Sequence, residues 1–195
     1  MTKMKIKNIT TLADTKYLKL YNAEYTNKNG EIRNWSIASR KDVITFKNKV
    51  FNGEEDTIDA VVIIATHIEE NKLVIIKQFR VPLNDYVYEL PAGLIDSGED
   101  FKSTVSRELR EETGLHLIDI DYDKTKTKTY ISTGMTDESV ALVYCRCLGE
   151  VSKDYLEPDE DIEVMLLSKE EARELIQSDE KIDIKALMAI QKFIG

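Results

Sequence analysis

Two near-continuous runs of apolar, mostly β-branched residues limit the folds open to this chain: DAVVIIATHI at 59–68 and LVIIKQF at 73–79, joined only by Glu69 to Lys72. Branching at Cβ favours extended backbone. A strand without polar alternation has no face to give to water, so both runs read as central strands of a covered sheet. Helices are the natural cover. One is predicted at about 100–113, ended by Gly114 in the position of a C-terminal cap. A second opens at Ser168-Lys169-Glu170-Glu171 in capping-box fashion, and a last one runs from about Asp183 to Phe193. Further strands are predicted near 118–123, 126–131, 139–149 and 162–167. Strands so mixed with helices on both sides make an α+β sandwich.

The first quarter of the chain has a different texture. Residues 17–26 and 32–38 are strand-like and flank the turn cluster Asn27-Lys28-Asn29-Gly30, which predicts a β-hairpin with a four- or five-residue loop. VITFKNKV at 43–50 reads as a third strand and FNGEED at 51–56 as a linker. The expected division is an antiparallel β unit at 1–55 and a larger domain at 56–195. A β unit of that size buries little alone, so it should lean on the rest of the chain or on a second copy.

Charge and composition remove several function classes. The 195 residues carry 36 Asp and Glu against 27 Lys and Arg, a net charge of −9. That balance argues against a nucleic-acid partner, which needs a basic stripe. It does not argue against a small phosphorylated ligand, because a few arginines or a metal reverse the sign locally. The two histidines, His67 and His116, exclude metal sites built from several imidazoles, and neither a G-x-S-x-G nor a G-x-x-x-x-G-K-[ST] motif occurs. His67 reads as a satisfied buried imidazole and His116 as exposed or capping. The two cysteines, Cys145 and Cys147, fall on one face of a predicted strand, poor geometry for a disulfide, and read as free core thiols of a reducing compartment. MTKMKIKNIT lacks a long apolar run, and the apolar stretch Val61 to Thr66 is too short to span a bilayer. The expectation is a cytoplasmic protein with no membrane association.

Chemistry must then rest on carboxylates, and one stretch concentrates them: Gly93-Leu-Ile-Asp-Ser-Gly-Glu99, seven residues, then Arg107-Glu108-Leu109-Arg110-Glu111-Glu112-Thr113-Gly114-Leu115. On a helix Glu108 and Glu112 share one face with Glu111 beside them. Like charges so close raise one another's pKa unless a cation compensates, and Arg107 can pair with only part of them. Clustered oxygen donors without His or Cys suit a hard divalent ion, Mg²⁺ or Mn²⁺.

The stretch meets every fixed position of G-x5-E-x7-R-E-U-x-E-E-x-G-U, where U is bulky and apolar, and so resembles the signature of the Nudix hydrolases. That resemblance implies an α/β/α sandwich, a loop–helix–loop box, and metal-assisted attack of water on a nucleoside diphosphate linked to another moiety. It implies Glu108 and Glu112 as main metal ligands, Glu111 as a further ligand or a partner of one, and Arg107 and Glu99 as the groups that orient them.

Outside the box, Gln78-Phe79-Arg80 followed by Glu89-Leu90-Pro91-Ala92-Gly93 resembles the ADP-ribose and ADP-sugar pyrophosphatase subgroup. By that likeness the Ala92 carbonyl faces a metal and Arg80 meets the phosphates. Lys16-Tyr17-Leu18-Lys19-Leu20, Tyr25, Gly30 and Arg33 to Arg40 resemble the same subgroup in order and spacing. This implies that Trp35 and Tyr17 stack on the base from the two chains of an intertwined homodimer and that Arg40 contacts the diphosphate region. Stacking of this kind tolerates several bases.

Tyr130 to Glu138 resembles the subgroup's S-P-G-x-(S/T)-x-E loop, with Thr133 in place of the proline, which leaves the sugar open. Glu157 to Val164 resembles its acidic E-x-E-D-I-x-V loop, with Glu160 as the aligned carboxylate and Pro158 where some relatives carry a glutamate. Glu160 and Glu138 both qualify to activate water. The implied reaction splits ADP-ribose or a similar nucleoside diphosphate sugar into AMP and a sugar phosphate. Two other readings are a pyrophosphatase for another nucleotide sugar such as GDP-mannose and a non-catalytic ligand sensor. Sensors commonly lose box carboxylates, and these are intact.

Overall fold

The computed structural model describes residues 4–158 and 160–195 and divides into two compact units. One comprises the residues up to Asp59 together with 129–140. Its sheet has three antiparallel strands, β1 (Lys5–Asp14), β2 (Lys19–Thr26) and β3 (Ile32–Ser39), in that order. The predicted hairpin is β2–β3, with a five-residue loop, 27–31, in which the Asn27 side chain accepts the Asn29 and Glu31 amides at 2.9 and 3.0 Å. Strand β1 was not legible. Ile9 is its one fully buried side chain, so no alternation marks it.

The third strand predicted at 43–50 is instead helical. Helix α1 (Val43–Lys47) runs into a π-helical turn at Asn48–Asn52, closed by Gly53 in the left-handed region at φ 68°. The Asp42 carboxylate caps it, accepting the amides of Ile44 and Thr45 at 2.8 and 3.0 Å and the Thr45 hydroxyl at 2.8 Å. A cap of this kind contributes about 1 kcal/mol, enough to override the weak strand preference of Val43, Ile44 and Thr45. The helix turns Phe46 onto Tyr21, rings stacked 5.0 Å apart, and the pair forms this unit's core with Ile9 and Ala23.

The other unit comprises 60–128 and 141–195. The eight-stranded sheet contains β4 (Ala60–His67), β5 (Lys72–Arg80), β6 (Asp85–Glu89), β7 (Ala92–Leu94), β8 (His116–Ile120), β9 (Lys126–Tyr130), β10 (Ser139–Leu148) and β11 (Ile162–Leu167), of which Thr129, Tyr130, Ser139 and Val140 are grouped with the first unit. The order is β11-β5-β4-β10-β8, with β6 paired to β5, β7 to β4 and β9 to β10. The two apolar runs are its centre, as predicted: Val61 to Ala65 and Leu73 to Ile76 are buried throughout. The short strands β6 and β7 carry too few residues for a pattern.

Three helices complete it: α2 (Phe101–Thr113) on β4, β7 and β8, α3 (Lys169–Gln177) on β11, and α4 (Ile184–Ile194) on β5, β6 and α3. The capping box at Ser168 and Glu171 is present. Gly114 ends α2 at φ 77°, where an added Cβ would fall 2.6 Å from the Ser152 amide nitrogen. The class is α+β. His67 is buried, its Nε2 3.0 Å from the Gly149 carbonyl and its Nδ1 accepting the Glu70 amide at 3.3 Å. His116 is exposed at the start of β8, and both cysteines are buried and free. Among the described residues no helix is long and apolar enough to cross a membrane.

Candidate active site

Helix α2 starts where Asp100 caps it, in reciprocal hydrogen bonds with Ser103. That start fixes which carboxylates face inward: Glu108 is 9% and Glu112 3% exposed, while Glu111 stays half-exposed. Across from them Val62 of β4 pairs with Ala92 of β7, and the Ile63 amide holds the Pro91 carbonyl at 2.8 Å. The Ala92 amide donates to Glu112 Oε2 at 3.0 Å. Gly93 admits no side chain, since a Cβ there would lie 1.9 Å from the Glu108 carboxyl carbon.

Arg107 organises the acidic groups. Its Nη1 donates to Glu108 Oε1 at 2.7 Å and to Glu111 Oε2 at 3.0 Å. Its Nε and Nη2 bind Glu99 at 3.1 and 2.9 Å, and Nη2 also reaches the Leu94 carbonyl at 3.0 Å. The predicted Arg107–Glu111 pair is one arm of this larger hub. The Arg107 hydrogen bonds, against a smaller effect of burial, pull the Glu99 carboxyl down to about 2. Glu108 moves the other way: burial pushes it up, Arg107 opposes, and the charges of Glu111 and Glu160 add to the rise. Glu112 is pushed well above the usual carboxylate range, first by burial and then by Glu108 and Glu160, with the Ala92 amide opposing.

Glu160 is half-buried and accepts the Glu157 amide at 3.0 Å. Asp159, in the same predicted acidic loop, lies outside the described residues. At the end of β5, Arg80 forms a bidentate pair with Glu89, Nε to Oε1 at 2.7 Å and Nη2 to Oε2 at 2.9 Å. The β5–β6 pairing sets Arg80 opposite Asp85 and Ile76 opposite Glu89. Among the described residues no group of three His, Cys, Asp or Glu side chains is arranged to hold a metal ion, and Arg107 and the Ala92 amide take up oxygens of the box carboxylates.

The remaining candidates belong to the N-terminal unit. Tyr17 is exposed in the turn between β1 and β2, with the Lys16 ammonium 4.6 Å from its ring centre. Trp35, on β3, is 51% exposed, and its Nε1–H donates to the Gly134 carbonyl at 3.1 Å. Arg40 pairs through Nε with Glu138. Sequence reasoning missed the partners: Glu89 on Arg80, the Gly134 carbonyl on Trp35, and a buried ionic group of Lys41, Lys49, Asp56, Asp59 and Asp137. Strand pairing alone does not reveal Glu89, since the β5–β6 register sets it opposite Ile76, four residues before Arg80. The ionic group had no local signal.

The sequence profile of the NUDIX domain matches residues 56–188. An ADP-ribose pyrophosphatase of Bacillus subtilis (strain 168) is 39% identical over 125 residues, 63% of this chain and 65% of that protein. A methanol dehydrogenase activator of Bacillus methanolicus is 33% identical over 133 residues, 68% of this chain and 70% of that one. An ADP-sugar pyrophosphatase of Mus musculus is 29% identical over 103 residues, 53% and 44% of the two chains. The match thus spans less than two thirds of either pyrophosphatase. A solved structure described as an ADP compounds hydrolase superposes with a TM-score of 0.71 at 19% identity, covering 98% of this chain and 92% of that one, a likeness of fold. The profile match and the box built on Glu99, Arg107, Glu108, Glu111 and Glu112 lead to one conclusion: the chain belongs to the NUDIX domain family.

Proposed function

We propose that this chain hydrolyses the diphosphate linkage of ADP-ribose or a similar nucleoside diphosphate sugar, giving AMP and a sugar phosphate, ribose 5-phosphate in the case of ADP-ribose. The supporting observation is the pair Glu108 and Glu112, two carboxylates buried together at the cost of raised pKa values and kept in place by Arg107 and the Ala92 amide. The names of the pyrophosphatase relatives agree with that substrate class.

The donor set fits a hard divalent cation. It is all oxygen, it carries excess negative charge, and the lack of a side chain at Gly93 lets the Glu108 carboxylate sit against the β7 backbone. Glu108, Glu112 and the Ala92 carbonyl would hold the ion, with Glu160 as a further carboxylate. Mg²⁺ or Mn²⁺ there would lower the pKa of a bound water and draw charge from the phosphoryl oxygens.

The protein's own groups do the rest. Arg107 fixes the rotamers of Glu108 and Glu111, and Glu99 fixes Arg107. Glu89 takes the Nε–Nη2 edge of Arg80, which turns the Nη1 side toward an incoming phosphate. Trp35 and Tyr17 offer aromatic faces to the base, and Arg40 a charge to the diphosphate. In the reaction water oxygen bonds to phosphorus, the bridging P–O bond breaks, and a carboxylate, Glu160 or Glu138, takes the water's proton. Glu111 supports that step through Arg107.

The N-terminal unit, with Leu12, Leu20, Ile32 and Trp35 exposed on its sheet and Leu18 exposed in the β1–β2 turn, supports assembly as a homodimer in which that unit binds the base. The buried free thiols support a cytoplasmic location. The test is a panel of nucleoside diphosphate derivatives, adenine and guanine bases both included, incubated with and without Mg²⁺ and resolved chromatographically. AMP and ribose 5-phosphate from ADP-ribose are expected. No turnover of any member would remove the proposal, and a guanine preference would move it to GDP-mannose-like substrates, as Thr133 in the proline position allows.

A further inference from the structure

Residues 132–138 form a tight turn on the N-terminal sheet, with the Ser132 carbonyl accepting the amides of Met135 and Thr136 at 2.9 and 3.0 Å. The turn supplies Gly134 O to the Trp35 indole at 3.1 Å, Met135 O to the Ala38 amide at 2.9 Å, and Glu138 to Arg40. Its other acidic residue, Asp137, points into protein. Asp137 Oδ2 lies 3.0 Å from Lys49 Nζ and 3.5 Å from Lys41 Nζ. Lys41 Nζ in turn lies 2.8 Å from Asp59 Oδ1 and 3.2 Å from Asp56 Oδ1, and Lys49 also pairs with Asp56. Five charged side chains are thereby removed from most solvent contact, Lys41 to 7% exposure.

A buried ionic group is a poor source of stability, since apolar residues of the same volume often do as well. What it supplies is discrimination among positions, because moving one carboxylate strands a charge. Here the group joins segments that neighbour the two ligand-facing side chains: Lys41 follows Arg40, Asp137 precedes Glu138, and Gly134 is one turn away. We propose that Asp137, Lys41 and Lys49 are positioning residues that set the Trp35 indole and the Arg40 guanidinium for the nucleotide. This rests on the reading of Trp35 and Arg40 as nucleotide contacts. It assigns to the ionic group the fixed position of the Gly134 carbonyl, hence the plane of the indole, and the fixed position of Glu138, hence the reach of Arg40.

Trp35 is the chain's single tryptophan, so its fluorescence reads this directly. The experiment compares the full chain with Asp137→Asn, Lys49→Met and Lys49→Arg, with folding checked by far-ultraviolet circular dichroism. In Asp137→Asn and Lys49→Met, Trp35 emission should shift to the red and quench more readily with acrylamide without nucleotide. The AMP concentration that half-quenches it and KM for ADP-ribose should each rise about tenfold, the worth of a stacked base. Lys49→Arg should restore both. Folded variants with wild-type emission, AMP affinity and KM would overturn the inference. If Asp137→Asn does not fold, Lys49→Met, changed at a more exposed site, decides alone. AMP leaving wild-type emission unaltered would instead overturn the placement of the base on Trp35, and the inference with it.

Discussion

The Glu112 carboxylate, 3% exposed, accepts the Ala92 amide hydrogen at 3.0 Å, so a group of α2 is tied to the backbone of β7 in the interior of the sheet–helix interface. A buried acid with one backbone donor and an elevated pKa is a costly element, and its removal should show most in chemistry.

Glu112→Gln keeps the shape and the acceptor oxygen for Ala92 but removes the charge. The rate of ADP-ribose hydrolysis should fall by at least ~100-fold, as expected when a catalytic ion is poorly held. Steady-state turnover with Mg²⁺ saturating checks it, and near-normal activity would take Glu112 out of the site.

Arg107→Lys leaves one positive charge but cannot serve Glu99, Glu108, Glu111 and the Leu94 carbonyl together. The Mg²⁺ concentration for half-maximal activity should rise about tenfold, the usual effect of loosening a ligand's partner. A metal titration of activity reads it, and an unchanged midpoint would contradict the role of the hub.

Gly93→Ala tests the close approach to Glu108. The new methyl would overlap the Glu108 carboxylate, whose carboxyl carbon is 1.9 Å from the Cβ position. Overpacking of this kind costs about 1–3 kcal/mol, so the fold should survive by circular dichroism while activity falls with the displaced ligand. Full activity would mean that Glu108 moves aside freely.

Acid should loosen the N-terminal unit through Asp56. Burial alone would raise its carboxyl, but the Lys49 hydrogen bond and the Lys41 charge outweigh it and hold the folded-state value below the ordinary one. A depressed acid contributes stability that is complete above its unfolded value, about 3.9, and lost as pH falls through the folded value. Urea unfolding at pH 5 and pH 3 should therefore show a smaller pH-dependent loss in Asp56→Asn than in the native chain. Equal losses would contradict the assignment.

Sequence was most readable where periodicity and spacing speak locally. The central strands, the start of α3 at Ser168 and the end of α2 at Gly114 follow from runs, caps and turn residues. So does the pairing of Arg107 with Glu111. Residues 43–50 read as a strand because the β-branched side chains of Val43, Ile44, Thr45 and Val50 outweigh, on paper, a cap at Asp42 whose hydrogen bonds exist only once the turn has formed. β1 was invisible because a polar strand with one buried side chain has no pattern. The partners of Arg80, Trp35 and Arg40 needed tertiary pairing: Gly134 is 99 residues from Trp35 and Glu138 98 from Arg40.

Residues 129–140 belong with the first 59 residues although 69 residues separate the two segments in the chain. A fragment stopping at Asp59 would keep Lys41 and Lys49 without Asp137, and Trp35 without its carbonyl. On a translating ribosome the N-terminal sheet must wait for Val140 before its ionic interior can close, so synthesis from the amino end does not finish the amino-terminal unit first.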